Sequence, residues 1–354
     1  MSRLLPPSST GAALALISAA LFGASTPLAK ALLGNVAPWM LAGLLYLGAG
    51  VGLAAIHSAR RVLGIEPPEA PLRRGDLPRL AAVVLAGGLA GPVLLMVGLA
   101  RTDASSASLL LNLEGLCTLG IAWVIFRENV DIRIGLGAAA ILSGALLLSW
   151  NGGVGGFGWG ALAIAGACLA WSIDNNLTRG LSSADPLQIA MIKGLVAGAV
   201  NVGLATLQGA AWPSGGIVIG AAVVGLFGYG ISLMLFVLAL RHLGSARTGA
   251  YFSTAPFIGA ALAVVAFGEP VTGTLVVAAA LMAFGTYLHL IEHHEHEHTH
   301  EELVHEHAHV HDEHHQHEHG PGDPSGEPHV HVHRHAPMVH RHPHYPDIHH
   351  RHTH

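Results

Sequence analysis

Charge is scarce in this chain. Asp, Glu, Lys and Arg make up 11% of its 354 residues, against about 25% in soluble proteins. The scarcity is also uneven. Residues 1–292 hold 11 of the 22 acidic residues, 14 of the 17 basic ones and 3 of the 27 histidines; residues 293–354 hold the rest. A segment that long, so poor in charge and so rich in apolar runs, is excluded as a water-exposed globule. It reads as an integral membrane domain. Cysteine is nearly absent too. Cys117 and Cys168 both lie in apolar runs, so they make no disulfide framework and read as small buried hydrophobes. A cleaved leader is not expected either. The apolar run after Arg3 continues through Pro27 to Lys30, as a retained first span would.

What is present is a series of apolar stretches. A span needs roughly 20 mostly apolar residues to cross ~30 Å of hydrocarbon. Ten stretches qualify: 10–32, 37–57, 78–99, 104–126 and 131–150, then 157–179, 186–206, 216–240, 245–268 and 271–291. They are rich in Gly and Ala, which let helices approach closely in lipid. Pro27, Pro92 and Pro256 lie inside spans and are expected to kink them.

The two groups of five repeat one design. Stretch 104–129 reads ASSASLLLNLEGLCTLGIAWVIFREN, and stretch 245–270 reads SARTGAYFSTAPFIGAALAVVAFGEP. Phe126 and Glu128 match Phe267 and Glu269; Glu114 falls opposite Ala255, and Gly115 opposite Pro256. A helix-weakening residue is thus expected at one depth in both copies. Around Pro27, Phe22 to Lys30 parallels Trp171 to Arg179. Five spans per unit is an odd number, so the second unit enters the membrane inverted. The fold class expected is an all-α integral membrane protein: ten transmembrane helices as two inverted five-helix repeats, 10–150 and 157–291, followed by a disordered tail over 292–354. Inverted repeats are typical of secondary transporters, which bind near the midplane where the repeats meet.

Lys and Arg set the orientation. With the N-terminus inside, eleven fall on the cytoplasmic side (Arg3, Arg60, Arg61, Arg73, Arg74, Arg79, Arg127, Arg133, Arg179, Arg241 and Arg247) and two outside (Lys30 and Arg101). Both termini are then cytoplasmic, in an inner or plasma membrane. Trp39, Trp150, Trp159 and Trp212 fall at outer ends, as an aromatic belt would.

Ionisable groups inside spans are costly and mark function or pairing. Glu114 is central in the fourth span and shows no evident partner at its depth, so it is the candidate proton or cation group. Asp174 and Lys193 lie at matching depths in the sixth and seventh spans. They are expected to meet, either as a structural ion pair or as a gate that contacts solute. Asn175, Asn176 and Asn201 add polar lining. Tyr229 and Tyr251, with Tyr46 and Asn112, are weaker candidates, since a Tyr in a span is more often a packed aromatic with one hydrogen bond.

The tail runs HHEHEHTHEELVHEHAHVHDEHHQHEH, breaks at GPGDPSGEP, and resumes as HVHVHRHAPMVHRHPHYPDIHHRHTH. It has no apolar periodicity, hence no core, and disorder is the expectation. Imidazole suits Zn, Ni, Cu and Co. The expected ligand positions are His293, His294, His296, His298, His300, His305, His307, His309, His311, His329, His331 and His333. The tail is also a pH-titrating brush, because unperturbed His changes charge near pH 6.5.

Together these features resemble the drug/metabolite transporter superfamily, in particular its EamA-type ten-helix members. The resemblance covers about 10–290. It rests on Leu113-Glu114 with Arg127-Glu128, and on Thr254-Ala255-Pro256 with Gly268-Glu269. Gly115 departs from the proline usual there. The resemblance implies gradient-driven export or exchange of small organic solutes, often amino acids or related metabolites. The expectation is therefore a transporter and not an enzyme, working by alternating access with a metal- or pH-responsive tail. Its partners are a small-molecule solute and the lipid bilayer, with no nucleic acid; no cofactor is required, and a homodimer is compatible. Two other readings stay open at this point: a divalent Zn, Ni or Co transporter, and a membrane-anchored metal buffer or sensor that transports nothing.

Overall fold

The computed structural model describes residues 7–34, 36–64, 72, 74–126, 132–150, 158–179, 181, 185–290, 294–300, 303–309, 329–335 and 338–344. Up to residue 290 the described elements are helical. α1 is Pro7–Leu33 and α2 Pro38–Val62. A continuous rod follows, made of α3 (Leu77–Val83), a π-helical segment (Val84–Ala90) and α4 (Gly91–Leu99). Then come α5 (Ala104–Leu110), α6 (Leu113–Phe126), α7 (Ile132–Ser149), α8 (Trp159–Arg179) and α9 (Pro186–Leu207). α10 (Gly215–Gly225) passes through a second π-helical segment (Leu226–Ile231) into α11 (Ser232–Phe252); α12 (Ala255–Phe267) and α13 (Gly273–Leu290) complete the helices.

Among the described residues, seven stretches are long and apolar enough to cross a membrane: Thr10–Leu33, Pro38–Val62, Arg74–Leu99, Ala104–Ile125, Ile132–Ser149, Pro186–Leu207 and Gly215–Ala239. The other three expected stretches fall on α8, which ends in Asp174, Asn175, Asn176 and Arg179, and on two shorter apolar helices, Ala255–Phe267 and Gly273–His289. Large apolar side chains cover the outside. Val265 is 84% exposed, Leu207 84% and Val124 70%. In water such a surface would drive association; in lipid it is the solvated face.

The helices touch through small residues. In α2 and α9, Gly43 faces Gly198 and Gly50 faces Gly194. A Cβ on Gly194 would lie 2.7 Å from the Gly50 amide, and one on Gly198 2.9 Å from the Gly43 carbonyl. Gly137 of α7 and Gly285 of α13 approach in the same way. Backbones this close give the dispersion contact that holds helices together where lipid competes for apolar surface.

Three expectations about the helices change. First, no loop separates 240 from 245, because α11 runs through to Phe252. The stretch contains one Gly and no Pro, and a helix absorbs a single Gly at about 1 kcal/mol. Second, the breaks in the paired stretches sit at Leu111-Asn112 and at Ser253-Thr254, just before Gly115 and Pro256. Third, Pro256 opens α12 in its first turn, where proline costs little, so it follows a break and does not bend a helix interior; Pro92 instead follows the π-helical segment inside the continuous rod. Pro27 does lie inside α1, and Ser25 Oγ donates to the Phe22 carbonyl nearby (2.6 Å).

The tail also departs from expectation. It carries four strands in two antiparallel pairs: β1 (His294–His300) with β4 (Met338–His344), and β2 (Leu303–His309) with β3 (His329–His335). The register sets His294, His296 and His298 opposite His344, His342 and His340. In the second pair it sets His305, His307 and His309 opposite His333, His331 and His329. The physical reason is period. An apolar core is absent, yet His recurs at every second residue, which is the repeat of a strand.

Candidate functional site

Two polar clusters meet where α8 passes α6, α9 and the first π-helical segment. In the first, Lys193 of α9 is ion-paired with Asp174 of α8, and their side chains are only 16% and 5% exposed. Thr178 Oγ1, one turn further along α8, donates to the other Asp174 oxygen (3.2 Å). Gly87 lies against this carboxylate, and a Cβ there would overlap it. The expected meeting of Asp174 and Lys193 is thus what the structure contains.

In the second cluster, Asn175 Nδ2 donates to the Glu114 carboxylate (2.8 Å). Glu114 therefore has a partner that sequence reasoning left among the general polar lining. The backbone is anchored as well. The Glu114 carbonyl accepts from Ser172 Oγ and Thr118 Oγ1, both at 2.9 Å, so the first turn of α6 is stitched to α8. Asp174 and Asn175 are adjacent in α8, so the two clusters lie side by side and form one charged centre. A lone Asp–Lys pair cancels; the additional carboxylate leaves the centre with one acid in excess.

The first π-helical segment lies beside this centre, and side chains satisfy its carbonyls. A π turn leaves a carbonyl without its usual helical partner. Tyr46 Oη (2.8 Å) and Trp171 Nε1 (3.1 Å) both donate to the Gly87 carbonyl, and Asn201 Nδ2 (3.3 Å) donates to that of Gly88. Tyr46 stacks at 5.6 Å on Tyr229, which sits in the second π-helical segment. Tyr229 in turn meets Phe22 edge-on at 6.1 Å, and Phe22 packs on Phe252 at 5.4 Å. Tyr46, a packed aromatic with one hydrogen bond, thus joins the segment beside the centre to an aromatic cluster with Tyr229. Tyr251 does not join them: its described hydrogen bonds are made by its carbonyl, with Thr254. Asn112 turns back to the Leu109 carbonyl (2.8 Å) at the helix break.

A third polar feature was not foreseen. Glu269, after α12, accepts from the Ala104 amide (2.7 Å) and the Ser105 amide (2.8 Å), one through each oxygen. Asp103, at the N-cap position of α5, makes no capping bond of its own. Lys30 of α1 donates to the Leu99 carbonyl and to that of Thr102 (3.0 Å). The turn between α4 and α5 is therefore gripped by a cation on its carbonyls and a carboxylate on its amides. The repeated Glu at 128 and 269 was the available signal. Arg127 and Glu128 lie outside the described residues, as do the ligand positions His293 and His311. Among the residues whose side chains are described, no three His, Cys, Asp or Glu groups converge on one point.

The fold and this centre define a multi-pass helical membrane protein with charge held inside its helices. The model of the EamA-like transporter family matches residues 9–150 and, a second time, 158–291; the chain belongs to that family, in keeping with the drug/metabolite transporter superfamily. It is 27% identical over 281 residues to an uncharacterized transporter of Methanothermobacter thermautotrophicus, covering 75% of this chain and 82% of that one. A solved crystal structure has a similar fold, with a TM-score of 0.58 and 22% identity over 79% of this chain and 96% of the other.

Proposed function

We propose that this protein is a secondary transporter that exports small organic solutes by alternating access. The observation that carries the reading is the centre where the Glu114–Asn175 bond between α6 and α8 lies beside the largely buried Asp174–Lys193 pair. Glu114 is the proton- or cation-carrying group, and Asp174 and Lys193 form a gate or solute contact. The repeats are 10–150 and 157–291, related by inversion. Helix packing supports this: α2 packs on α9 and α7 on α13, which are equivalent elements of the two halves. The contacts of α1 with α11 and α12 are mirrored by those of α8 with α4 and α6. Both termini face the cytoplasm, and the His-rich tail makes transport responsive to metal or pH.

The test is solute-driven proton movement in liposomes carrying a pH-sensitive dye. A thermal-shift screen against amino acids and related metabolites picks the solutes. The wild-type protein should move protons when a stabilising solute is added, and Glu114→Gln should bind solute yet lose the coupled signal. Unchanged transport and pH dependence in Glu114→Gln would remove Glu114 from the mechanism.

A further inference from the structure

We propose that β1 and β4 build a transition-metal site in which His294, His296 and His298 face His344, His342 and His340 rung for rung. This deepens the tail part of the transport reading and can fail without it, since metal binding is measured apart from transport. The register is the starting point. Directly opposed positions of an antiparallel pair share a face, with Cβ atoms about 4.5–5.5 Å apart, and positions two apart along a strand share that face as well. Six histidine positions therefore occupy one face of the ladder. Two neighbouring rungs offer four imidazoles, the number that closes a tetrahedral zinc site.

Two further observations point the same way. Glu297 stands opposite Arg341 on the other face, an opposite-charge rung that favours this register over a shift by one. And among the described strands β1 pairs with β4 alone. A two-stranded ribbon without a packed face is marginal in water. Something must hold it, and a cation bridging both strands would do so, because binding free energy is then folding free energy. His340, His342 and His344 belong to the second half of the tail and gain their role from this pairing. Divalent zinc or nickel is the ligand class that imidazole sets of this kind take.

The full chain in detergent is titrated with Zn²⁺ and, in parallel, Ni²⁺ by equilibrium dialysis. One variant replaces His340, His342 and His344 with Asn. A control replaces His314, His315 and His317, which fall outside the described strands. The ladder variant should bind at least about tenfold more weakly than the control; a smaller ratio would overturn the proposal, because an unregistered brush loses affinity by histidine count alone. A cycle adds the second check. Replacing the three β1 histidines together with the three of β4 should cost little more than either set alone, and additive losses would also sink the ladder. In the wild type the tight binding should fade as pH falls through about 6.5, where the imidazoles protonate.

Discussion

Removing either charge of the Asp174–Lys193 pair strands the other in a site where both side chains are largely buried. Asp174→Asn and Lys193→Met should each cost about 3–5 kcal/mol, and the double variant markedly less than the sum, since it removes both charges at once. Thermal unfolding of the four proteins in detergent reads this directly; additive losses would mean that the pair is not a unit. Gly87→Ala should behave like a broken pair, because its new Cβ would occupy the space of the Asp174 carboxylate. The pair was legible in the sequence because two opposite charges at matching depth in neighbouring spans have few other ways to be satisfied. The Glu114–Asn175 bond was less legible. Asn175 is one residue from Asp174, and only the helical phase of α8 decides which of them faces α6 and which faces α9.

At the scale of elements, small backbone features decided what the sequence could foretell. Helix weakening in the paired stretches was expected at Gly115 and Pro256, but the breaks come two to four residues earlier, at Leu111-Asn112 and Ser253-Thr254; a proline in the first turn, which ends the helix before it, accounts for the second. The π-helical segments fall at Gly87-Gly88 and Gly228-x-Gly230. Gly in a span has so many packing uses that it could not single them out. The Glu269 clamp joins an element of the second half to the first turn of α5 and stands in for a local cap. Glu269→Ala leaves the Ala104 and Ser105 amides without acceptors, at about 1–2 kcal/mol. The local consequence is the sharper readout. Hydrogen exchange at 104–107 should accelerate several-fold while exchange in α2 and α9 stays as it was. Uniform acceleration would mean that the residue supports the whole fold instead of this one turn.

For the whole molecule, the arrangement of helices follows from apolar length and repetition, which is why the membrane domain was readable while the tail was not. The tail offers no apolar period to read; its informative pattern is the period-two recurrence of His, which yields strands. Orientation is the remaining question at this scale, and it has a physical handle. The proposed orientation sets eleven Lys and Arg on the cytoplasmic side against two outside, and it predicts that both termini share the cytoplasmic side. Five of the eleven cluster around the connection from α2 to the following rod: Arg60 and Arg61 in the last turn of α2, Arg73 and Arg74 in the sequence between, and Arg79 in α3. In right-side-out vesicles the tail should be shielded from an impermeant His-directed reagent, and in inverted vesicles it should be reactive. Replacing those five Arg with Ser removes nearly half of the bias, so a reactive fraction should appear in right-side-out vesicles. A tail that reacts from the outside in the wild type would reverse the assignment, and the clamp of Lys30 and Glu269 on the α4–α5 turn would then close the cytoplasmic face instead of the outer one.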